Sequence, residues 1–480
     1  MGRSSRTVVP VCSNCAKLSR ELAELREELA ELRRQVGRHS GNSSVPPAEN
    51  PPWAPGPVKK KPTGKKPGGQ VGHEGHYREL LPPAQVDQVV RHVPVRCRHC
   101  GQGFDAAMLE SDSAAVTHRH QVMELPERAV KVTEHQSVAC RCRHCGICTK
   151  EPIPPAVLGS VCGDRLSAAI TFVSSRVHGS RRAVEDLLTD LLGAPLSLGT
   201  IIAREAEMTE ALNAPYRDAR AAIQQAVTKN VDETGWKRAG RFLWLAATKT
   251  LAVFHLDPCR NRDAMKQLLG EEVIGTICTD RFGVYQKVPV RQRAICWAHL
   301  KRDFQAFVDA VAPAMAARPV VTGEAAVASK QFGEAALGVV KEVTELWHRF
   351  RAGQIARATL QKRLSMVRQT MRQLLKKGLT QPVKRIAKFC QALLQLEPAM
   401  WTFARVEGLE PTNNHAERML RPAVCWRKTC LGSHSVGGCK FVERMLTVVQ
   451  TLHLRGQSVM NFLTQAIHAW RTRQPAPALL

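Results

Sequence analysis

Three short segments rich in apolar and β-branched residues follow one another between residues 228 and 257, with turn residues between them. They read TKNVDETGW, RFLWLAATKT and LAVFHLD. Segments of this length and composition, bounded by turns, are typical of adjacent antiparallel strands. A helical pattern (NRDAMKQLLGEE), a buried strand (VIGTICTD) and a strand that runs into a helix (RAICWAHLKRDF) come next. This alternation predicts a mixed α/β sheet.

Helical patterns flank the predicted sheet on both sides. Residues 153–220 form a helical region in which SLGTIIAREAEM resembles the second helix of a helix-turn-helix, although a plain helical scaffold is the alternative. From about 305 to 405 the chain is rich in Ala, Leu, Arg and Lys, so an all-helical insertion is predicted to interrupt the sheet pattern. Residues 441–480 are expected to form a C-terminal helical tail.

An apolar stripe near the N-terminus has alternating spacings of four and three residues. Its members are Leu18, Leu22, Leu25, Leu29, Leu32 and Val36. This is the heptad pattern of a coiled coil, with Glu and Arg on its flanks, although it covers fewer than three heptads. We therefore predict a zipper helix within residues 1–38 that pairs two protomers. A helix packed against its own chain is the alternative.

Residues 39–80 are dominated by Pro, Gly, Ser and Lys, a composition that does not form a packed core. A flexible linker is therefore predicted. It carries a basic run that is either simply solvated or follows a phosphate backbone: Lys59, Lys60, Lys61, Lys65 and Lys66.

The charge balance of the whole chain favours a polyanionic partner. There are 69 Lys and Arg against 42 Asp and Glu, a net charge of +27. An excess of this size is typical of nucleic-acid-binding proteins, and a solvated surface is the alternative. No segment has the run of about 18 apolar residues that spans a membrane. The first residues lack the apolar core of a signal peptide, so a cytoplasmic, reducing location is expected.

The motif CRHCG occurs twice between residues 97 and 148 and gives two pairs of cysteines. Two thiolate pairs can close a tetrahedral zinc site, and the Gly after each pair permits a tight turn. We predict a zinc-binding module over residues 81–152, with Cys97, Cys100, Cys142 and Cys145 as ligands. Cys140 and Cys148 are competing ligands, and four free thiols are the alternative.

Three carboxylates are candidates for chemistry. Asp232 lies at the end of the first predicted strand and Asp280 ends the fourth, so both can converge at one edge of the sheet. Glu417, in PTNNHAERMLRP, follows the helical insertion and could complete the set. Mg²⁺ prefers oxygen ligands, and two such ions can support an in-line phosphoryl displacement.

Each acid also has a simpler interpretation. Glu233 adjoins Asp232, and because neighbours on a strand face opposite sides, only one of the two faces the site; spacing does not decide which. Asp280 could cap a helix that starts at RFGVYQ. Glu417 could form an ion pair with Arg421, four residues further along its helix. Pro422 is expected to interrupt that helix within about a turn of Glu417.

The chain resembles the transposases of the insertion-sequence sixty-six family. The shared features, in order, are the zipper, NSSVPP, KKPGGQVGHEGH, the two cysteine pairs, VDETGW, ICTDRFGVY, CWAHLKRDF and NNHAERMLRP. The resemblance implies a multidomain protein with an α/β RNase H-like core at residues 221–440, interrupted by the helical insertion. It implies a DDE triad in which Asp232, Asp280 and Glu417 bind Mg²⁺ or Mn²⁺, and a Zn²⁺ module.

The same resemblance implies strand cleavage at insertion-sequence ends and strand transfer into target DNA. His299, Arg418 and Arg421 are expected near DNA phosphates, together with the linker lysines. A homo-oligomer and element-encoded accessory proteins are implied as partners. The alternatives are a DNA-binding regulator without catalysis, a nuclease that only hydrolyses, and an inactive copy of the element.

Overall fold

The computed structural model describes residues 80–92, 94–96, 98–105, 129–145, 147–236, 240–309, 323–429 and 433–480, together with isolated positions at 21, 22, 24, 25, 29, 116, 119–123 and 125. The described positions between 21 and 25 are helical, as is position 29. The rest of the predicted zipper, and the predicted linker up to residue 79, lie outside the described residues. The chain forms two units, residues 56–132 and residues 1–55 with 133–480, and each is described by itself.

The smaller unit contains little regular structure among its described residues. A short 3-10 helix covers Pro83–Gln85, and an isolated bridge pairs Arg96 with Gly103. The Gln121 side chain joins two segments that lie 40 residues apart: its Oε1 accepts from the N–H of Leu81 at 2.8 Å, and its Nε2 donates to the carbonyl of Leu81 at 3.0 Å.

In the larger unit, the first two described strands form a hairpin, β1 (Ala139–Arg141) and β2 (Cys148–Lys150). Its centre is a five-stranded sheet of β3 (Thr228–Trp236), β4 (Arg241–Ala247), β5 (Ala252–Asp257), β6 (Thr276–Thr279) and β7 (Arg293–Ile295). The order across the sheet is β5-β4-β3-β6-β7. β3, β4 and β5 are antiparallel neighbours, whereas β6 runs parallel to β3 and to β7. The predicted mixed α/β sheet is confirmed.

Five described helices precede the sheet: α1 (Pro155–Leu158), α2 (Asp164–Arg176), α3 (Arg181–Asp190), α4 (Leu198–Ala211) and α5 (Asn213–Gln225). α6 (Arg262–Leu269) joins β5 to β6, and α7 (Trp297–Asp309) follows β7. The next stretch is helical throughout most of its described part: α8 (Gly323–Arg351), α9 (Arg357–Leu379), α10 (Lys384–Gln395), α11 (Glu397–Met400) and α12 (Thr402–Arg405). The last three helices are α13 (Asn414–Thr429), α14 (Val436–Leu454) and α15 (Val459–Arg471).

Two large hydrophobic cores surround the sheet; they lie on opposite faces at β6, whereas both faces of β4 belong to the first core, which contains every residue from Leu243 to Ala247. Ile277 belongs to the first core and its neighbour Cys278 to the second, and adjacent strand residues face opposite sides. The first core joins the sheet to α5, α6 and α13 to α15, and the second joins β6 and β7 to α7 through α12. A third, smaller core lies among α2, α3 and α4. None of the described helices is long and apolar enough to cross a membrane.

The outer edge of β5 is covered by side chains of α14. Thr447 accepts from the N–H of Phe254 at 3.0 Å, and Thr451 both accepts from the N–H and donates to the carbonyl of Ala252, each at 3.2 Å. Glu443 accepts from the N–H of Leu256. Helix residues four apart lie on one face, and the N–H groups of alternate strand residues point to one edge. The side chains of α14 therefore pair with successive N–H groups of β5 that an open edge would leave unpaired.

Pro422 does not interrupt its helix, and that prediction was wrong. α13 continues seven residues past it to Thr429. A proline inside a helix removes one backbone hydrogen bond, but α13 buries Ala416, Leu420, Ala423 and Trp426 against the first core. Packing of this apolar face therefore outweighs the local cost of the proline.

Candidate active site at the central sheet

Asp232 and Asp280 come side by side at the centre of the sheet; Asp232 lies within β3 and not at its end, where the sequence pattern predicts it, and Asp280 lies just after β6. Asn230 of β3 is paired with Cys278 of β6, so two residues further on Asp232 comes level with Asp280, which directly follows β6. Neighbouring strands are about 4.8 Å apart. Each carboxylate also accepts a local backbone N–H: Asp232 from Glu233 and Asp280 from Phe282, both at 2.9 Å. The second bond lies just before a 3-10 helix at Gly283–Lys287, whose N-cap residue is Phe282 and which has no side-chain capping bond, so Asp280 braces the turn before this helix and does not cap it.

Glu417 is brought to this pair by the segment before α13. The buried Asn413 donates from Nδ2 to the carbonyl of Val231 at 2.8 Å, and its Oδ1 accepts from Asn230 at 2.9 Å. Its N–H contacts the Sγ of Cys296, one residue beyond β7, at 3.0 Å. These contacts hold the start of α13 against β3, and Glu417 lies one helical turn further along.

The charges of the neighbouring acids act on Asp232. Burial, together with the negative charges of Glu233, Asp280 and Glu417, raises the pKa of Asp232 to about 8, against the effect of the Glu233 N–H. A cation placed among these carboxylates would relieve this repulsion. The donor set, three carboxylates, is of the kind that Mg²⁺ prefers.

Glu417 is paired with two side chains of α7. Its Oε1 lies 3.6 Å from Arg302 Nη2 and 3.9 Å from His299 Nδ1. Burial and the charge of Arg302 lower the pKa of His299, so its imidazole is mainly neutral near pH 7 and Arg302 is the principal counter-charge. In the described part of the chain Glu417 thus pairs across 115 positions of sequence and not with Arg421, four residues away.

The structure separates Asp232 from its neighbour Glu233. The Glu233 side chain is 2 % exposed; it accepts from the Tyr285 hydroxyl at 2.7 Å and from Arg260 Nε at 3.1 Å. Arg260 also lies over the ring of Phe282, 3.9 Å from its centroid. Burial raises the pKa of Glu233, and the hydrogen bonds from Arg260 and Tyr285 oppose this rise. Glu233 is therefore occupied by a hydrogen-bonded cluster that links β3 to the segment after Asp280.

Sequence reasoning missed this supporting cluster. Arg260 and Tyr285 are 27 and 52 residues from Glu233, and no motif spacing connects them to it. Arg281, the residue after Asp280, was missed as well: its Nε and Nη2 donate to Asp303 of α7 at 3.0 and 2.7 Å. These contacts hold the segment that carries Asp280 between the sheet and α7.

The other proposed DNA-contacting residues are dispersed. Arg418 and Arg421 lie on α13. His299 lies on α7, with its Nδ1 3.9 Å from Glu417. His415, from the same motif, uses Nε2 to bond the carbonyl of Thr248 at 2.7 Å, which fixes α13 to the turn between β4 and β5. The five linker lysines at positions 59–61, 65 and 66 lie outside the described residues.

The cysteine pairs are described only in part, because Cys97 lies outside the described residues. Cys142 and Cys145 are exposed in the turn between β1 and β2. A hydrogen bond of 2.8 Å from the Cys142 N–H to the Ile147 carbonyl closes this turn. The backbone N–H groups of Cys145 and His144 lower the pKa of the Cys142 thiol, which favours the thiolate. Cys100 is exposed in the other unit and is followed by Gly101 at φ 75°, the tight turn expected there.

No group of three or more His, Cys, Asp or Glu side chains is placed to hold a metal ion within the described parts of the chain. At the acidic site the reason is visible. Asp232 and Asp280 are adjacent, but the Glu417 carboxylate is directed to Arg302 and His299. The residues fit a divalent cation by their chemistry, and Glu417 would join it by leaving Arg302.

The segment that carries the three acids coincides with a known protein family. A family model described as "Transposase IS66 family" matches residues 159–440, which include β3 to β7, α7 to α12 and all three acids. A second model, described as "Family of unknown function (DUF6444)", matches residues 9–79. No curated protein and no solved structure matches the chain.

Proposed function

The chain belongs to the IS66 family of transposases, whose model spans more than half of its residues, and we propose that it cuts DNA at insertion-sequence ends and joins them to target DNA. Family membership assigns it to DNA transposition and hence to DNA binding. The finer assignment is a DDE mechanism on an RNase H-like core. The observation that carries it is the alignment of Asp232 with Asp280 on adjacent parallel strands, with the charge of Glu417 reaching the same site.

Asp232, Asp280 and Glu417 would hold Mg²⁺ or Mn²⁺. When bound, a pair of such ions activates the attacking oxygen and stabilises the leaving oxygen of an in-line phosphoryl displacement. Asp232 must be ionised to act as a ligand. Because its pKa is about 8 without a cation, binding would release its proton near neutral pH.

Two displacements at phosphorus account for the reaction. In the first, a water oxygen bonds to phosphorus and the bond from phosphorus to the 3′ oxygen breaks; the water loses a proton and the 3′ oxygen gains one. In the second, the oxygen of that 3′-hydroxyl bonds to a target phosphorus and loses its proton, while the bond from this phosphorus to the target 3′ oxygen breaks and that oxygen gains a proton. The protein orients these groups, and the positive side chains near the acids offset the phosphate charge.

Arg302 is suited to the phosphate beside Glu417. Its Nη2 already lies 3.6 Å from the Glu417 carboxylate, and a guanidinium keeps its positive charge at any pH at which a protein is folded. If Glu417 turns towards a cation, the Arg302 guanidinium is left free to bind a phosphate oxygen. Arg302 thus joins His299, Arg418 and Arg421 as a proposed DNA contact.

Activity assays with single variants test the triad. Asp232→Asn, Asp280→Asn and Glu417→Gln should each abolish nicking and strand transfer on DNA that carries the element ends, in the presence of Mg²⁺. Asp218→Asn is the matched control, because Asp218 is exposed on α5, and it should retain activity. Wild-type activity in any triad variant removes that residue from the proposed set.

The same assay separates the alternatives. Nicking without strand transfer by the wild type would indicate a nuclease. DNA binding without Mg²⁺-dependent nicking would indicate a regulator or an inactive copy.

The N-terminal regions complete the proposal. Cys97, Cys100, Cys142 and Cys145 would bind structural Zn²⁺, and metal analysis of the full chain should then give about one zinc per chain. Cys145→Ser should abolish zinc binding, and a zinc-free folded protein would contradict the assignment. The zipper would pair protomers so that two DNA ends are held together, with the linker lysines on phosphates and accessory proteins of the element as further partners.

A further inference from the structure

Charge is unevenly distributed among the helices that follow α7. α8 carries four Lys or Arg and four Asp or Glu over 29 residues. α9, α10 and the four residues that join them carry ten Lys or Arg and no Asp or Glu. These 39 residues therefore supply ten of the chain's net 27 positive charges, and the charge is concentrated in one hairpin.

Three of the ten cations have partners among the residues that the structure describes. Arg368 makes two bonds to Glu397 at 2.5 and 2.7 Å. Arg357 lies 4.9 Å from the ring centroid of Phe350, and Arg385 lies 4.8 Å from that of Phe307. These three side chains contact the rest of the protein, and the other seven cations are exposed.

Five of the exposed cations form one face of α9, hereafter the basic face: Lys362, Arg363, Arg372, Lys376 and Lys377. At 100° per residue they fall within about half of the helix circumference, and at 1.5 Å per residue they extend over about 22 Å. Among the described residues no acidic side chain forms an ion pair with any of them. α8 differs, because Lys330 and Lys341 each pair with a glutamate four residues on, both at 3.9 Å.

The remaining two, Lys384 and Lys388, extend the positive surface along α10 towards the acidic site. The ring of Phe389 lies under Arg281, 4.6 Å from its guanidinium carbon, and Arg281 directly follows Asp280. α10 therefore packs against the segment that carries the second acid, and Lys388 is adjacent in sequence to that contact. The helix that contacts the segment after Asp280 therefore carries two exposed cations, and the helix before it carries the basic face.

Like charges three or four residues apart destabilise a helix. Arg372 with Lys376, and Lys384 with Lys388, are such pairs. A polyanion with regular charge spacing would offset this repulsion. Duplex DNA carries one negative charge per about 1.7 Å, or about 13 phosphate charges over the length of the basic face.

We propose that the basic face of α9, with Lys384 and Lys388 of α10, binds the phosphate backbone of duplex DNA beside the acidic site. This inference rests on the proposed function and names a contact that the acids do not supply. The contacts are to phosphates, so the face grips DNA without reading its sequence.

The test measures DNA binding by the full-length protein in EDTA, with a fluorescent duplex of arbitrary sequence, long enough to span the basic face. The variant replaces Lys362, Arg363, Lys376 and Lys377 by Gln. The control replaces Lys330, Lys341, Arg349 and Arg351 of α8 by Gln, which removes the same total charge from a helix with no net charge. Circular dichroism and thermal melting establish that both variants are folded.

The basic-face variant should bind at least about 10-fold more weakly than the control at about 0.15 M salt. The slope of log K against log salt should become shallower by about 0.9 for each phosphate that is no longer neutralised, hence by about 2 to 4. Equal slopes and affinities for the two variants would overturn the inference. If the wild type nicks DNA with Mg²⁺ while the variants bind equally, only this inference fails; if the wild type neither binds nor nicks, the proposed function fails with it.

Discussion

Asp232→Asn should make the metal-free protein more stable at neutral and alkaline pH, although it removes a proposed metal ligand. Burial, with the charges of Glu233, Asp280 and Glu417, raises the pKa of Asp232 from 3.8 to about 8. The native state thus binds this proton more tightly than the unfolded state does. Between those two pKa values, each rise in pH lowers the stability, because the unfolded chain has already released the proton. Asparagine stays neutral and can still accept the Glu233 N–H.

The size of the effect follows from the shift. One pKa unit corresponds to about 1.36 kcal/mol, so the gain from Asp232→Asn is at most about 2 kcal/mol at about pH 5 and about 4 kcal/mol at about pH 7. Above about pH 8 the native carboxyl also ionises and the gain reaches a constant value. Near the unfolded pKa of 3.8 and below, both states hold the proton and the gain disappears.

Urea denaturation in EDTA at a series of pH values from about 4 to about 9 measures this difference. The buried Trp236 and Trp244 report on the core that contains the sheet. Asp218→Asn is the control and should change stability by no more than about 0.5 kcal/mol at any pH. Mg²⁺ should stabilise the wild type more than Asp232→Asn, because the cation favours the ionised carboxylate. A variant that is less stable at neutral pH, or a difference that does not depend on pH, would refute the electrostatic account of the site.

Three further substitutions probe the framework. Asn413→Ala should lower the free energy of unfolding by about 1–3 kcal/mol for each buried polar group left unpaired and should reduce DNA nicking; full nicking activity would show that Asn413 does not position Glu417. Gly378→Ala should cost about 1–3 kcal/mol in the same urea assay, since a Cβ there would overlap the Cys390 Sγ; an unchanged midpoint would contradict that close approach. Thr447→Val should cost about 1–3 kcal/mol by leaving the N–H at position 254 unpaired and should speed its hydrogen exchange, whereas unchanged exchange would exclude the edge-covering role.

The sheet could be predicted from the sequence because its strands are short and are marked by turn residues. The three antiparallel strands, the buried strand before Asp280 and the strand that runs into α7 all have the expected order and type. The parallel placement of β6 beside β3 is what aligns Asp232 with Asp280, and a pattern of alternating residues does not specify which strands pair. The alignment thus depended on topology, which local patterning leaves open.

Pro422 shows why local rules failed in α13. Considered alone, a proline one turn after Glu417 should end the helix. The opposing contribution, burial of the α13 face against the first core, depends on tertiary packing that local sequence does not specify. The zipper and the zinc module stay predictions, because most of the zipper and Cys97 lie outside the described residues.

The ion pair of Glu417 could not be predicted from spacing for a related reason. Spacing along one helix offers Arg421, four residues away, but a side chain at i+4 is only one of several cations that folding brings close. Asn413 orients α13 so that Glu417 meets Arg302 and His299 of α7. The position of Glu417 therefore depends on tertiary packing more than that of the other two acids, which strand pairing aligns. To bind a metal ion, Glu417 must exchange Arg302 for the cation. Arg302→Gln should therefore weaken DNA binding while leaving Mg²⁺ binding, measured by calorimetry, unchanged or tighter, and weaker Mg²⁺ binding by that variant would contradict the exchange.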